Sequence, residues 1–200
     1  MKKTILIIFT FLIISCNAYK TEYDFTSVVF NDLRKPFNGS KIDTLRLAKD
    51  SYLVPIKLLE YYTIEKEYLK VKGIRPQSEG NFHWIDEDNP WPISNDEINF
   101  MIEELKKARM IKWNPSKFNS KIKTIKISKV PVFENHELED KERVRMINKG
   151  DYLFTFSTPV FNKNKDIAII TYEVPLFFGS RSCLIYKKEN EVWTLIGNFW

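Results

Sequence analysis

Hydrophobic and polar positions divide the chain into three regimes. Ile5 to Ile14 form an apolar run behind Met1-Lys2-Lys3, interrupted only by Thr10. The run is about ten residues long where a bilayer span needs roughly twenty, so it reads as a signal segment and not as a membrane helix. The second regime has helical spacing. Phe25, Val28, Val29, Leu33 and Phe37 suit a short amphipathic helix over Tyr23 to Phe37, ended by Pro36. Ile42, Leu45 and Leu47 suggest a strand. Leu58, Leu59, Tyr62, Glu65, Lys66 and Leu69 predict a helix between Val54 and Val71, stopped by Gly73 and Pro76. Ile74 to Pro92, with four prolines or glycines and Phe82, Trp84 and Trp91, reads as a long ordered loop.

The sharpest local signal is Ser94-Asn95-Asp96-Glu97, a capping box in which the serine hydroxyl and glutamate carboxylate satisfy free first-turn amides. The helix it opens runs to about Arg109, with Ile98, Met101, Ile102 and Leu105 inward. Its outer face carries Glu103, Glu104, Lys106 and Lys107. The third regime has period two. Ile122 to Ile127 predicts a strand, and Tyr152–Phe156, Ile167–Val174, Ser182–Lys188 and Val192–Phe199 are four more, joined by turn-like links. Glu134 to Asn148 is a charged excursion. Helices first and strands later predict an α+β fold, its N-terminal and central helices packed on one face of a C-terminal antiparallel β-meander.

Residues 13–16, Ile-Ile-Ser-Cys, close the apolar run and change the picture. Together with the positive start they resemble the lipobox signal peptide of a bacterial lipoprotein. The resemblance implies that Cys16 takes a diacylglyceryl group, that the chain is cut before it, and that the new amine is acylated with a chain such as palmitate. Several buried acyl chains make a durable anchor, since each buried methylene contributes about 0.8 kcal/mol. Residues 1–15 are then a signal peptide, 16–21 a lipidated tether and 22–200 a single domain. A cell-envelope location follows, with the outer membrane expected. A secretory cut after Ala18 and an uncleaved anchor are the alternatives.

The C-terminal quarter resembles small uncharacterised lipoproteins of Bacteroidota-type bacteria. The matching residues are Phe156-Ser157-Thr158-Pro159-Val160-Phe161, then Lys163, Ala168, Gly179, Tyr186-Lys187-Lys188, and Trp193 with Ile196-Gly197-Asn198-Phe199-Trp200. The family carries a more glycine-rich loop where this chain has Phe177-Phe178-Gly179-Ser180-Arg181. The resemblance implies a location and an α+β architecture, and no activity.

Charge and candidate chemistry add exclusions. The formal charge of +5 falls to +3 once Lys2 and Lys3 leave, too mild for a nucleic-acid partner. Lys117, Lys121, Lys123, Lys126 and Lys129 form a loose group that reads as a solvated face. With Cys16 committed to lipid, Cys183 has no disulfide partner. It reads as a core residue; as a nucleophile it would need His83 or His136 beside it. His83 with Asp86, Glu87, Asp88 and Asp96 fits no metal-ligand spacing, so no metal or cofactor is expected. Phe82, Trp84, Trp91, Phe177 and Phe178 are loop aromatics that would stack on a glycan or grip a protein if exposed together. No catalytic motif is present, and six glycines leave little room for a phosphate loop. The expected function is a monomeric, non-catalytic binding or structural module. The alternatives are an envelope hydrolase using His83 with Asp86 or Asp88, and a protein-binding immunity or inhibitor protein.

Overall fold

The structure is a computed structural model that describes residues 20–34, 45–72, 82–84, 91–118, 122–126, 141, 153–174 and 181–199. Its elements, in chain order, are α1 (Lys20–Arg34), β1 (Leu45–Ala48), β2 (Tyr52–Leu53), α2 (Ile56–Lys72), β3 (Phe82–Trp84) and α3 (Asn95–Lys107). A 3-10 turn (Pro115–Lys117) follows, then β4 (Ile122–Ile125), β5 (Leu153–Thr158), β6 (Val160–Phe161), β7 (Ile167–Glu173), β8 (Arg181–Glu189) and β9 (Val192–Phe199). This is an α+β fold built on one mixed sheet in the order β3-β9-β8-β7-β5-β1-β4, with β2 beside β5 and β6 beside β7.

The four long C-terminal strands pair antiparallel, β5 with β7, β7 with β8 and β8 with β9. The sheet continues past them. β1 lies parallel to both β4 and β5, and β3 adds antiparallel to β9 at the other edge. A plain meander is therefore too small a description. The segment read as a loop over 74–92 holds β3, whose Phe82, His83 and Trp84 pair in register with Phe199, Asn198 and Gly197. Three residues in a proline-rich stretch carry no period of their own; pairing with the last strand sets them.

Helices cover both faces of the sheet, not one. Successive strand side chains point to opposite faces, and here both sets are apolar. Ala168, Ile170, Leu184 and Tyr186 share a core with Phe154, Phe156 and the α1 residues Phe25, Val29 and Phe30. Ile167, Ile169, Cys183 and Ile185 share the other core with Leu59 and Tyr62 of α2 and Ile98, Met101 and Leu105 of α3. Burial follows from that placement: every residue of β5 is buried, and so are Ile167 to Thr171 and Cys183 to Tyr186. A register shift between Ile185 and Tyr186, where they face Gly197 and Leu195, leaves Ile196 as an extra residue in β9. The bulge turns Phe199 into the α2–α3 core, opposite Cys183.

α1 starts at Lys20, inside the segment 16–21 read as a tether. Tyr23, in its first turn, clamps it sideways. The phenol accepts the Asn114 amide at 2.8 Å, donates to the Lys112 carbonyl at 3.4 Å, and meets Trp113 and Phe118 edge-on at 5.3 and 5.0 Å. Further along, Phe30 packs on Phe156 at 4.6 Å between centroids and Phe25 on Tyr186 at 5.4 Å. No helix among the described residues is long and apolar enough to cross a membrane.

The β8–β9 turn is two residues long, with Asn190 at φ 48° and Glu191 at φ 65°. Both central positions of such a turn need positive φ, which suits asparagine followed by glycine. Glu191 holds that backbone against its Cβ, and its ion pair with Lys188 at 2.5 Å is exposed. Glu191→Gly is expected to stabilise the protein by about 0.5–1 kcal/mol, read as a rise in melting temperature by calorimetry.

Candidate functional site

The sequence-nominated residues do not converge among the described residues. Cys16, His136, Asp86, Glu87, Asp88, Phe177 and Phe178 lie outside them. His83, Phe82 and Trp84 are placed by backbone register alone, at the β3 edge. Trp91 is half-buried, edge-on to Tyr62 at 5.2 Å, where it closes the α2–α3 core. Asp96 is a first-turn residue of α3. Cys183 is sealed inside the sheet, and burial pushes its thiol far above the usual range, leaving it protonated and inert. Glu103 and Glu104 pair with Lys106 and Lys107 on the wet face of α3, at 2.6 and 3.1 Å. Lys117 lies over the Tyr23 ring at 5.3 Å, and Lys123 and Lys126 are exposed singly. No group of three or more histidine, cysteine or acidic side chains among the described residues is placed to hold a metal.

What the fold does assemble is a cleft of about 480 Å³ where three distant segments meet. The first turn of α1 brings Thr21 and Glu22, the end of α3 brings Lys107 and Arg109, and the β6–β7 turn brings Lys163 and Lys165. Phe100, Ala108, Pro159, Val160 and Phe161 make its apolar lining. Four cations thus face two carboxylates, and the carboxylates are largely engaged. Glu104 is held by Lys107. Burial pushes the Glu22 carboxyl above its ordinary value, while a backbone hydrogen bond and the Lys165 charge pull it back. Arg109 and Lys163 make no ion pair among the described residues. A pocket with an apolar wall and two unspent cations suits an anionic ligand with an apolar part.

The rim is braced rather than loose. Asn162, buried under the β6–β7 turn, uses its whole side chain. Its amide donates to Glu97 Oε1 at 2.8 Å and Asp166 Oδ1 at 2.6 Å, while its oxygen accepts the Asp166 and Ile167 amides, each at 3.0 Å. The turn carrying Lys163 and Lys165 is thereby tied to the capping box of α3, where Ser94 Oγ accepts the Glu97 amide and Glu97 Oε2 accepts the Ser94 amide. Lys165 sits at φ 58°, a backbone state that favours glycine or asparagine. Arg109 is pinned from the sheet side. Thr158 Oγ1 reaches its carbonyl at 3.3 Å, and Ser51 Oγ, itself 2.8 Å from Thr158 Oγ1, accepts the Ile111 amide at 2.6 Å.

A second surface stands out on α2. Leu59, Tyr62, Lys66 and Leu69 face inward, and the Lys66 ammonium donates to the Ile93 carbonyl at 2.9 Å. Ile64, Tyr68 and Val71 form an exposed stripe on the other side, with Val71 85% exposed. The helix is apolar inside and out, which no simple amphipathic reading of its sequence anticipates.

The fold and this cleft define an α+β protein with a cationic surface pocket. The sequence matches no family model, and no curated protein or solved structure is significantly similar to it.

Asn162→Ala would strand the buried Ile167 amide and the half-buried Asp166 amide and release Glu97, so a loss of about 2–3 kcal/mol is expected by denaturant unfolding. The acid limb of stability tests the same network. Burial alone would raise the Glu97 carboxyl, but hydrogen bonds from Asn162 and Ser94 outweigh it and hold it below its ordinary value. Its contribution is therefore complete above the unfolded value of 4.5 and is lost as pH falls through the depressed folded value. Asn162→Ala should flatten that loss in melting curves taken from pH 6 to about pH 3.

Proposed function

We propose that the protein is a lipoprotein of the cell envelope, held at the outer membrane through acylated Cys16, and that its domain is a non-catalytic binding module. The observation that carries the anchor is the closeness of the lipobox to the fold. Only residues 17–19 separate Cys16 from Lys20, where α1 begins, and Cys16 closes the apolar run Ile5–Ile14 behind the positive start. The non-catalytic reading rests on how the described reactive groups are spent. Cys183 is sealed, Glu97 caps a helix, and Glu103 and Glu104 pair with lysines.

A protein partner, as an immunity or inhibitor role would require, is the second reading. The outward stripe of Ile64, Tyr68 and Val71 on α2 favours it.

Cys16→Ala tests the anchor. The variant is expected to lose the acyl mass and to move from the membrane fraction to the soluble fraction or to accumulate uncut. Unchanged mass together with unchanged membrane retention would contradict the proposal.

A further inference from the structure

We propose that the cleft between α1, α3 and the β6–β7 turn takes the anionic headgroup of a membrane phospholipid. This inference deepens the anchor reading and rests on it for the source of the ligand. Thr21 and Glu22 stand at the cleft and belong to the first turn after the anchor. Four chain steps separate Cys16 from Lys20, so even a fully extended connection is only about 14 Å long. An acylated Cys16 sits at the lipid–water boundary. The cleft is then held within one or two Debye lengths of the headgroups, where cations still feel an anionic surface.

The chemistry of the cleft matches that neighbour. Arg109 and Lys163 bring charge that no carboxylate of the described protein consumes. A phosphodiester stays singly anionic at every physiological pH and accepts a guanidinium at two oxygens, with a lysine as a further donor. Phe100, Pro159 and Val160 offer the glycerol and first methylenes an apolar wall. The Thr158 and Asn162 networks hold the backbone at Arg109 and at the Lys163 turn, so binding has to order the two exposed side chains and not the segments that carry them.

The test titrates the full chain, in neutral maltoside micelles, with dihexanoyl phosphatidylglycerol, dihexanoyl phosphatidylcholine or inorganic phosphate, read by calorimetry. Phosphatidylglycerol is expected to bind about tenfold tighter than either of the others. Arg109→Gln with Lys163→Gln should weaken it about tenfold, while Arg109→Lys with Lys163→Arg keeps most of the affinity. Lys57→Gln, an exposed charge on α2, should change nothing. Equal binding of both lipids would overturn the proposal, as would full affinity in the double glutamine variant at an unchanged melting temperature. Inorganic phosphate binding as tightly as phosphatidylglycerol would also overturn it, in favour of a soluble phosphate site. The titration reads the cleft and fractionation of Cys16→Ala reads the anchor, so failure of one is distinguishable from failure of the other.

Discussion

The structure depends on a sheet whose central strands have no wet face. Ile167 to Ile170 place apolar side chains alternately above and below, Cys183 to Tyr186 do the same beside them, and β5 is buried from end to end. Such strands hold together in water only if both surfaces are covered, because each exposed large apolar side chain gives up about 1.5–3 kcal/mol of burial. One layer is the pair α2 and α3. The other is α1 with the aromatic segment Trp113 to Phe118. Neither layer is ornamental.

That requirement also locates the cleft. α1 must lie across the strands on one side and α3 on the other, and their ends emerge at the same sheet margin, where β5 gives way to β6 at Pro159. The gap left there is bordered by whatever the two helix ends and the neighbouring turn carry. Buried polar contacts keep it open in one shape. Asn162 joins the β6–β7 turn to the α3 cap, and Ser51 with Thr158 fastens the chain leaving α3 to the sheet. Buried hydrogen bonds of this kind add modest net stability but strongly penalise any geometry that breaks them.

Features set by neighbours in sequence were readable without the fold. The capping box at Ser94 and Glu97 and the turn before Val192 need only residues within one turn, so their chemistry is written locally. The run Ile167-Ala168-Ile169-Ile170 was also a visible signal of burial on both faces, since a one-sided strand would alternate. Reading it as one strand of a simple meander missed the second helix layer. The parallel pairing of β1 with β4 and the addition of β3 to β9 join distant residues and leave no periodic trace. The cleft is invisible for the same reason. Glu22, Arg109 and Lys163 are unremarkable singly; only folding brings them together, and Lys163 read simply as part of a turn.

Consider what α1 means for the order in which the molecule comes into being. It is the first described element of the chain, yet its partners include Phe154, Phe156, Ala168, Ile170 and Tyr186. Phe25 and Phe30 cannot be fully buried until the C-terminal strands are present. Contacts so distant in sequence fold slowly and leave an apolar helix face open meanwhile. A chain fixed to a membrane at its N-terminus would hold that face at the bilayer surface throughout the wait. For a chain anchored in that way, the lipid surface would be the first solvent to shelter α1, and the completed sheet would have to draw it away.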